Sequence, residues 1–300
     1  MYTQHFGLSD KPFNLIPDPD YLYFSSKHKI GLSLLEYGLM ETAAGLTVIT
    51  GEVGAGKTTL IRKLMRRIDY TALTVGIINN TSTFHEGLIS WVVSAFNIPH
   101  EEKDNIALYR EFQKFLIAEY AAGRRCVLIV DEAQNLSGKA LEELRMLTNI
   151  NADRDQLLQI VLVGQPELLD VLSKPEYAQI AQRVSVEYHL EPLDFEEVYG
   201  YIQHRLEVAG GADDIFTKQA VKAIYYFSGG VPRLVNTLCD YCLVHAYALG
   251  SVEVDFTLAM EVRKGRKVGG VNRQVKNVES VEQVRQDLIA ETGIDLKALT

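Results

Sequence analysis

The chain has 300 residues, 47% of them hydrophobic, and a formal net charge of −9 at pH 7. This length and apolar content suit one α/β core with a smaller second domain. The apolar runs have the length of strands, far below the about 20 residues that cross a bilayer, and the N-terminus lacks the basic and apolar regions of a secretory signal. We therefore expect a cytoplasmic protein without a transmembrane segment.

The first strongly predicted element is a strand followed by a phosphate-binding loop. Residues 46–50 are apolar and β-branched, and the residues after them fit G-x-x-x-x-G-K-S/T at every fixed position. The glycines let backbone N–H groups converge on phosphate oxygens, and the next helix presents the positive end of its dipole. Lys57 adds a positive charge, and the Thr58 hydroxyl is expected to bind Mg²⁺. The residues expected to contact a nucleoside triphosphate such as ATP are Gly51, Glu52, Val53, Gly54, Ala55, Gly56, Lys57, Thr58 and Thr59.

An N-terminal segment, residues 1–45, precedes this strand and is expected to include a first helix. It carries Tyr2, Tyr23 and His28. An aromatic face with one polar group suits a purine, so these side chains are candidates for contact with the adenine base. The alternative is that the aromatic rings pack the segment into the core.

Two acids follow a continuous apolar run. Residues 126–130 read as a strand buried on both faces, and Asp131 and Glu132 come directly after it. Hydrolysis of a triphosphate needs a carboxylate near Mg²⁺ and a group that acts on the attacking water. We assign the first role to Asp131 and the second to Glu132. The alternative is an ordinary acidic turn at a strand end.

Amide side chains end two further predicted strands. Residues 73–78 are followed by Asn79 and Asn80, and residues 157–163 are followed by Gly164 and Gln165. Gln165 could contact the γ-phosphate or the water, and one of the asparagines could hydrogen-bond Glu132 and hold it away from water. Ordinary turn chemistry is the alternative for all three amides.

Two arginines are candidates for charge stabilisation at the γ-phosphate. Arg183 comes just before a fifth strand-like segment, and Arg233 follows Pro232, which fits the first turn of a helix. Their positions suggest two positive charges brought to the phosphate from separate bodies. Each could instead be a solvated surface residue.

The strands alternate with helical segments at residues 106–122 and 137–150, which predicts a parallel five-stranded sheet sandwiched by helices. Ligands bind such sheets at the carboxyl ends of the strands. We place this α/β P-loop core at residues 46–192. Helical periodicity then continues through residue 262, which predicts a small all-helical lid over residues 193–262.

The last segments differ in charge from the rest of the chain. Residues 263–276 carry six Lys or Arg, no acid and three glycines, which indicates a basic linker. It could bind nucleic acid or an anionic membrane, or it could simply be solvated. Residues 277–300 form a C-terminal tail in which Val281, Val284, Leu288 and Ile289 make an apolar stripe at helical spacing. This short helix could dock on a partner or on its own chain.

The ordered motifs resemble those of AAA+ ATPases, and further sequence blocks resemble the ExeA/GspA-type secretion ATPases. The blocks are Met1-Tyr2, Phe6-Gly-Leu8, Lys11-Pro-Phe13, Pro17-Asp-Pro19, Tyr21-Leu-Tyr23, His28, Asp131-Glu-Ala-Gln-Asn-Leu136, Leu141-Glu-Glu-Leu-Arg-Met-Leu147 with Asn149, Gly164-Gln-Pro-Glu-Leu168 and Tyr201-Ile-Gln-His-Arg-Leu206. Two more, Leu35-Glu-Tyr-Gly-Leu39 and Ile49-Thr-Gly-Glu-Val-Gly-Ala-Gly-Lys57, are similar to the ATPases encoded with exosortase (XrtA, PEP-CTERM) and exopolysaccharide loci.

The resemblance implies a role for each candidate residue. Lys57 and Thr58 would be Walker A, Asp131 and Glu132 Walker B, Gln165 sensor 1, Arg183 the arginine finger and Arg233 sensor 2. It also implies a homo-oligomer, a nucleotide-dependent ring in which Arg183 acts on a neighbouring subunit's ATP. ExeA-type proteins continue into a transmembrane segment and a periplasmic peptidoglycan-binding region, whereas this sequence reaches only Thr300, so we do not carry a cell-wall role over from the resemblance.

The resemblance implies a cytoplasmic AAA+ ATPase that hydrolyses ATP with Mg²⁺ to drive or regulate assembly of an envelope export system. Its partners would be secretion or polysaccharide-assembly proteins, through which it could attach peripherally to the inner membrane. One alternative is a DNA-associated ATPase like the TniB-type transposition regulators, which the basic linker favours and the acidic remainder disfavours. Another is a nucleotide-gated scaffold with slow hydrolysis.

Overall fold

The structure is a computed structural model that describes residues 1–16, 18, 20–40, 46–79, 87–100, 103–152, 155–265 and 278–299. The chain divides into two compact units. The sheet unit consists of His28–Glu52 and Leu60–Leu190, and the helical unit consists of Met1–Lys27, Val53–Thr59 and Glu191–Thr300.

The sheet unit is built on the predicted parallel five-stranded sheet. The strands of the chain are β1 (Leu46–Gly51), β2 (Leu73–Ile78), β3 (Arg125–Val130), β4 (Asn151–Ala152), β5 (Asp155–Gln156), β6 (Leu158–Gly164) and β7 (Val184–Leu190). The sheet order is β2-β3-β6-β1-β7, and β4 and β5 form a separate two-stranded antiparallel pair. Every residue of β1 and β6 is buried, as is β3 after its first residue. Burial on both faces explains why these strands are uninterrupted apolar runs.

The helices of the first 190 residues follow the predicted alternation with the strands. They are α1 (Tyr2–His5), α2 (Ser26–Met40), α3 (Lys57–Arg67), α4 (Leu88–Ala95), α5 (Asn105–Ala121), α6 (Gly138–Leu147), α7 (Glu167–Leu172) and α8 (Ala178–Ala181). The Asp104 side chain caps α5 and the Ser137 side chain caps α6, each by accepting a backbone N–H three residues later. These caps fix where the two helices predicted from the sequence begin.

The helical unit is made mainly of the last helices of the chain. They are α9 (Phe195–Val208), α10 (Lys218–Ser228), α11 (Pro232–Leu249), α12 (Phe256–Gly265) and α13 (Val278–Thr292). A reciprocal capping box between Asp194 and Glu197 starts α9, and Pro232 occupies the first turn of α11. Among the described residues, no helix combines the length and the hydropathy needed to cross a membrane.

The first 27 residues pack in the helical unit, which divides the N-terminal segment that we placed at residues 1–45. Tyr2, Phe6, Leu8, Phe13 and Tyr21 are all buried in the core of this unit. Arg205 of α9 connects the N-terminal segment to the rest of the helical unit. Its Nε donates to the Pro12 carbonyl of the segment at 2.5 Å, and its Nη1 donates to the Tyr201 hydroxyl of α9 at 2.7 Å. Its charge also lies 5.1 Å from the centre of the Tyr21 ring.

The helical unit extends beyond the lid boundary that we predicted at residue 262. Helix α12 continues to Gly265, and the buried Arg263 places its charge 5.1 Å from the centre of the Phe227 ring. Because an aromatic face accepts a guanidinium, this basic residue is part of the core, although we read it as the start of a linker. Residues 266–277, which hold the rest of the predicted basic linker, lie outside the described residues.

Helix α13 docks on its own chain, against α10. Leu288 is fully buried and Val284 nearly so, within the same core as α10 and α11. At its two ends, Ser280 hydrogen-bonds Tyr225 at 2.8 Å and Glu291 pairs with the buried Lys222 at 2.5 Å. The apolar stripe seen in the sequence therefore faces the helical unit.

Replacing Leu288 with alanine tests this docking. Leu288→Ala should lower the free energy of unfolding by about 2 to 5 kcal/mol, because it leaves a cavity in a buried core. Leu249→Ala is the matched control, since Leu249 is 68% exposed, and it should change stability by no more than about 0.5 kcal/mol. Denaturant unfolding measures both, and equal effects would show that α13 is not packed on α10 in solution.

Candidate nucleotide-binding site

The phosphate-binding loop runs from the end of β1 to the start of α3. Gly54 and Gly56 have φ values of 85° and 106°, a region that side chains with a Cβ rarely adopt. Lys57, the first residue of α3, is buried, whereas the Thr58 side chain next to it is exposed. The first turn of α3, all of it described, holds no acidic side chain. A helix N-terminus with a buried cation and no carboxylate of its own fits the phosphates of a nucleotide.

The loop contacts the start of α11 within the helical unit. The backbone N–H of Arg233 donates to the Gly54 carbonyl at 3.3 Å. A Cβ added to Gly54 would lie 2.5 Å from the Arg233 Cβ, so the two backbones approach closely only because residue 54 is a glycine. The Arg233 side chain is exposed. The contact fixes the first turn of α11 at the loop that precedes Lys57.

The predicted acid pair lies at the carboxyl end of β3 in the sheet unit. The Asp131 N–H extends the ladder by donating to the Ile78 carbonyl at 2.8 Å. The Asp131 Oδ1 then accepts the N–H of Glu132 at 2.9 Å, and Glu132 turns the chain with a φ of 54°. A left-handed conformation at a glutamate costs of the order of 1 kcal/mol and occurs where the surroundings fix the residue. The chain thus leaves the sheet immediately after Asp131.

Two glutamine amides meet the Glu132 carboxylate. The Nε2 of Gln134 donates to the Glu132 Oε2 at 2.6 Å, and the Nε2 of Gln165 lies 3.5 Å from the same oxygen. The Gln134 Oε1 accepts the backbone N–H of Gln165 at 3.0 Å. The sheet explains this proximity, because β3 and β6 are paired neighbours and both residues follow their carboxyl ends.

The structure does not test the contact that we expected between one of two asparagines and Glu132. Asn79 is exposed at the end of β2, and Asn80 is outside the described residues. The amides described in contact with Glu132 are those of Gln134 and Gln165. The role predicted for Asn79 and Asn80 stays a prediction.

Arg183 precedes β7, as the sequence indicates, and its guanidinium lies at the end of α6. Its Nη1 donates to the Thr148 carbonyl at 3.3 Å, and its Nη2 donates to the Asn149 side-chain oxygen. A helix C-terminus carries partial negative charge, so it stabilises the positive charge of a guanidinium placed there.

The three residues predicted to contact the base are placed in different surroundings. Tyr2 is buried in the helical unit and its hydroxyl donates to Asp240 at 2.5 Å; burial and this carboxylate raise the pKa of the phenol well above its usual range. The Tyr23 ring packs edge-on to Tyr201, with 5.9 Å between ring centres. His28 is buried within α2 of the sheet unit. These contacts match core packing for the tyrosines, and contact with adenine stays a prediction.

Sequence reasoning missed the contacts that hold Glu132 and Arg183. Gln134 lies two residues after Glu132 and Asn149 follows α6, and in the sequence both stand only within the blocks that carry the resemblance. The sequence did contain a chemical signal for both contacts. The Gln134 amide stands two residues from a carboxylate that needs a fixed orientation, and the Asn149 amide stands at the end of a predicted helix.

Chemically, the described residues offer a glycine-rich loop before α3 and, in the sheet unit, two adjacent carboxylates, one of which is oriented by amide donors. Hydroxyl and carboxylate oxygens are ligands that Mg²⁺ prefers, and the metal-binding role of Thr58 and Asp131 stays a prediction. The glycine-opened loop, the buried Lys57 and the helix end fit a triphosphate.

Comparison with known proteins finds an AAA domain and a relative from a secretion pathway. Residues 40–172 match the family model described as an AAA domain. The General secretion pathway protein A of Aeromonas hydrophila is 43% identical over 263 residues, or 86% of this chain. The chain spans 48% of that relative's length.

Solved structures with low identity share the fold. The ORC2 protein of Aeropyrum pernix in its ADP form has a TM-score of 0.62 at 15% identity, over 95% of this chain and 84% of that one. The Drosophila ORC bound to DNA has a TM-score of 0.65 at 14% identity, over 94% of this chain and 77% of that one. The fold is that of an AAA-type P-loop NTPase, as predicted.

Substitution of Gly54 tests the close approach of the loop to α11. Gly54→Ala meets both the positive φ and the Arg233 Cβ, whereas Gly123→Ala meets a φ of 79° with no described atom within 4 Å. The strain of the positive φ is shared, at about 1 to 2 kcal/mol. We expect Gly54→Ala to lose a further 1 to 3 kcal/mol or so of unfolding free energy because of the overlap. Equal losses for the two variants in denaturant unfolding would rule out the close approach.

Proposed function

We propose that this chain is a Mg²⁺-dependent AAA+ ATPase whose hydrolysis of ATP drives or regulates the assembly of an envelope export system. The observation that carries the ATPase activity is the orientation of the Glu132 carboxylate by amide donors at the carboxyl end of β3, one residue after Asp131. Ligands of parallel α/β sheets bind at this edge.

The proposed mechanism gives each site residue a separate role in ATP hydrolysis. The amides of residues 51–59, with Lys57, bind and orient the phosphates, and Thr58 and Asp131 would hold the metal. Bound Mg²⁺ would supply positive charge to the phosphate oxygens. Glu132 accepts a proton from the attacking water, while Gln165 orients that water or the γ-phosphate and Arg233 neutralises charge there.

The role in export rests on the relative from Aeromonas hydrophila. Identity of 43% over 263 residues supports a shared function for this part of the two chains. We further propose that the client belongs to an exosortase-linked or exopolysaccharide system, which the blocks around Leu35 and Ile49 favour. The acidic net charge of −9 favours a protein partner over nucleic acid. The protein would work in the cytoplasm and reach the inner membrane through its partners.

We also propose that the active form is a homo-oligomer, a ring in which Arg183 completes the site of a neighbouring subunit. Its support is the position of Arg183 just before β7, where its guanidinium, within the described part of the chain, hydrogen-bonds the Thr148 carbonyl and the Asn149 side-chain oxygen just after α6. Neither partner is a carboxylate, so a γ-phosphate could displace them.

Two substitutions separate binding from hydrolysis. Lys57→Ala should weaken ATP binding and abolish turnover, because phosphate charge is left uncompensated. Glu132→Gln should keep ATP binding and lower turnover by about 10² to 10⁴-fold, since an amide cannot accept the proton of water. Phosphate release and equilibrium binding of ATP, with and without Mg²⁺, measure these effects.

Arg66→Ala is the control for the first variant, because Arg66 is exposed on the same helix and should leave both properties unchanged. Unchanged turnover in Lys57→Ala or Glu132→Gln would contradict the ATPase proposal.

The export role is tested in cells whose only copy of the protein carries Glu132→Gln. Envelope export should fail in these cells, and normal export would contradict the export role.

Mixing two inactive variants tests the action of Arg183 on a neighbouring subunit. Arg183→Ala should bind ATP but lose about 10³ to 10⁵-fold in turnover, the range found for arginine fingers. Lys57→Ala subunits lack a working site but keep Arg183, so mixed assemblies should regain turnover. Arg145→Ala, which removes a surface arginine of α6 paired with Glu142, should need no such rescue. An inactive mixture of demonstrably co-assembled subunits would exclude the role in trans.

A further inference from the structure

The contacts around Glu132 assign a task to Gln134, a residue with no role in the mechanism above. Both ends of its amide are engaged: Nε2 donates to Glu132 at 2.6 Å and Oε1 accepts the Gln165 N–H at 3.0 Å. The side chain is therefore oriented by the end of β6 and in turn orients the carboxylate after β3.

The space at the end of β6 is shaped to admit this side chain. A Cβ added to Gly164 would lie 3.0 Å from the Gln134 Oε1 and 3.3 Å from its backbone nitrogen. A side chain at position 164 would therefore crowd Gln134. The absence of a Cβ at Gly164 lets the amide reach the Gln165 N–H.

We propose that Gln134 is a positioning residue that aims the Glu132 carboxylate at the attacking water and couples its direction to the sensor residue Gln165. This inference rests on the proposed ATPase function. Two amide donors on one carboxylate oxygen restrict rotation of the group, which matters because a misplacement of about 1 Å can cost about 10²-fold in rate.

The coupling follows from the connections of the amide. A shift of the Gln165 backbone carries the Gln134 Oε1 with it, and the Nε2 of the same planar group moves against Glu132. A change at the end of β6 is thereby passed to Glu132 through one rigid side-chain amide. The two donors on Glu132 come from residues already linked to each other, so their effects should not be independent.

The first test compares two variants of Gln134 with a matched control at another position. Gln134→Met keeps the chain length without hydrogen bonds, and Gln134→Glu accepts the Gln165 N–H but cannot donate to Glu132. We expect Gln134→Met to lower kcat by about 10²-fold and Gln134→Glu by more, with KM and ATP affinity within about twofold of wild type. Gln219→Met, on the exposed face of α10, should change none of these values.

Coupling is measured by combining Gln134→Met with Gln165→Met. The double variant should lose less in kcat than the product of the two single losses, because both amides hold one carboxylate. A residue with only a structural role would lower stability and ATP affinity together with kcat, and its effects would multiply with those at position 165.

The outcomes separate this inference from the function on which it rests. Wild-type turnover that Glu132→Gln abolishes supports the ATPase function whatever Gln134 does. If Gln134→Met then matches or exceeds wild-type kcat, or if its loss simply multiplies with that of Gln165→Met, the positioning role is wrong and the ATPase function stands. A wild-type protein that does not hydrolyse ATP overturns both.

Discussion

The candidate site depends on the parallel pairing of β3 with β6, two buried strands in the middle of the sheet. Their ladder sets how far each strand runs before the chain turns, and it brings the residues after Val130 beside those after Val163. Asp131, Glu132 and Gln165 are therefore neighbours because of backbone hydrogen bonds between apolar segments, not because the polar groups attract one another. The fixed backbones also explain how the left-handed conformation of Glu132 is tolerated, because the stability of the paired strands offsets the conformational strain at this residue.

Several charged side chains in the core of the helical unit lie against partners of suitable chemistry. Arg205 is the clearest case, because its guanidinium donates hydrogen bonds to the Pro12 carbonyl and the Tyr201 hydroxyl and also lies over the face of the Tyr21 ring. Lys222 and Arg263 are also buried, and each has a partner of suitable chemistry, Glu291 for the ammonium and the Phe227 ring for the guanidinium. Removing such a partner leaves a buried charge uncompensated, which is more costly than the bond itself is worth.

Local and periodic features were predictable from the sequence, and contacts between distant residues were not. The phosphate loop is contiguous and its glycines are required by backbone geometry, and β3 and β6 are apolar on both faces because both are buried. The docking of Tyr2 beside Asp240 has no local signal, nor has the burial of Arg263 over Phe227, which a charge count assigns to a linker. Gln134 falls between these cases: it is close to Glu132 in sequence, but its contact depends on the unusual φ of Glu132 and on a strand about thirty residues later.

The division of the chain between the units has a consequence for its synthesis. Residues 60–190 of the sheet unit are contiguous, so the sheet can form while later residues are still being added. The helical unit instead joins residues 1–27 to helices after residue 191, and its Tyr2–Asp240 bond closes over 238 positions. Long-range contacts of this kind slow folding, and domains fold as units as they emerge from the ribosome. The side chains of Tyr2, Phe6 and Leu8 therefore stay exposed to solvent while the residues of the sheet are synthesised. We expect a chaperone to bind the nascent chain during that interval.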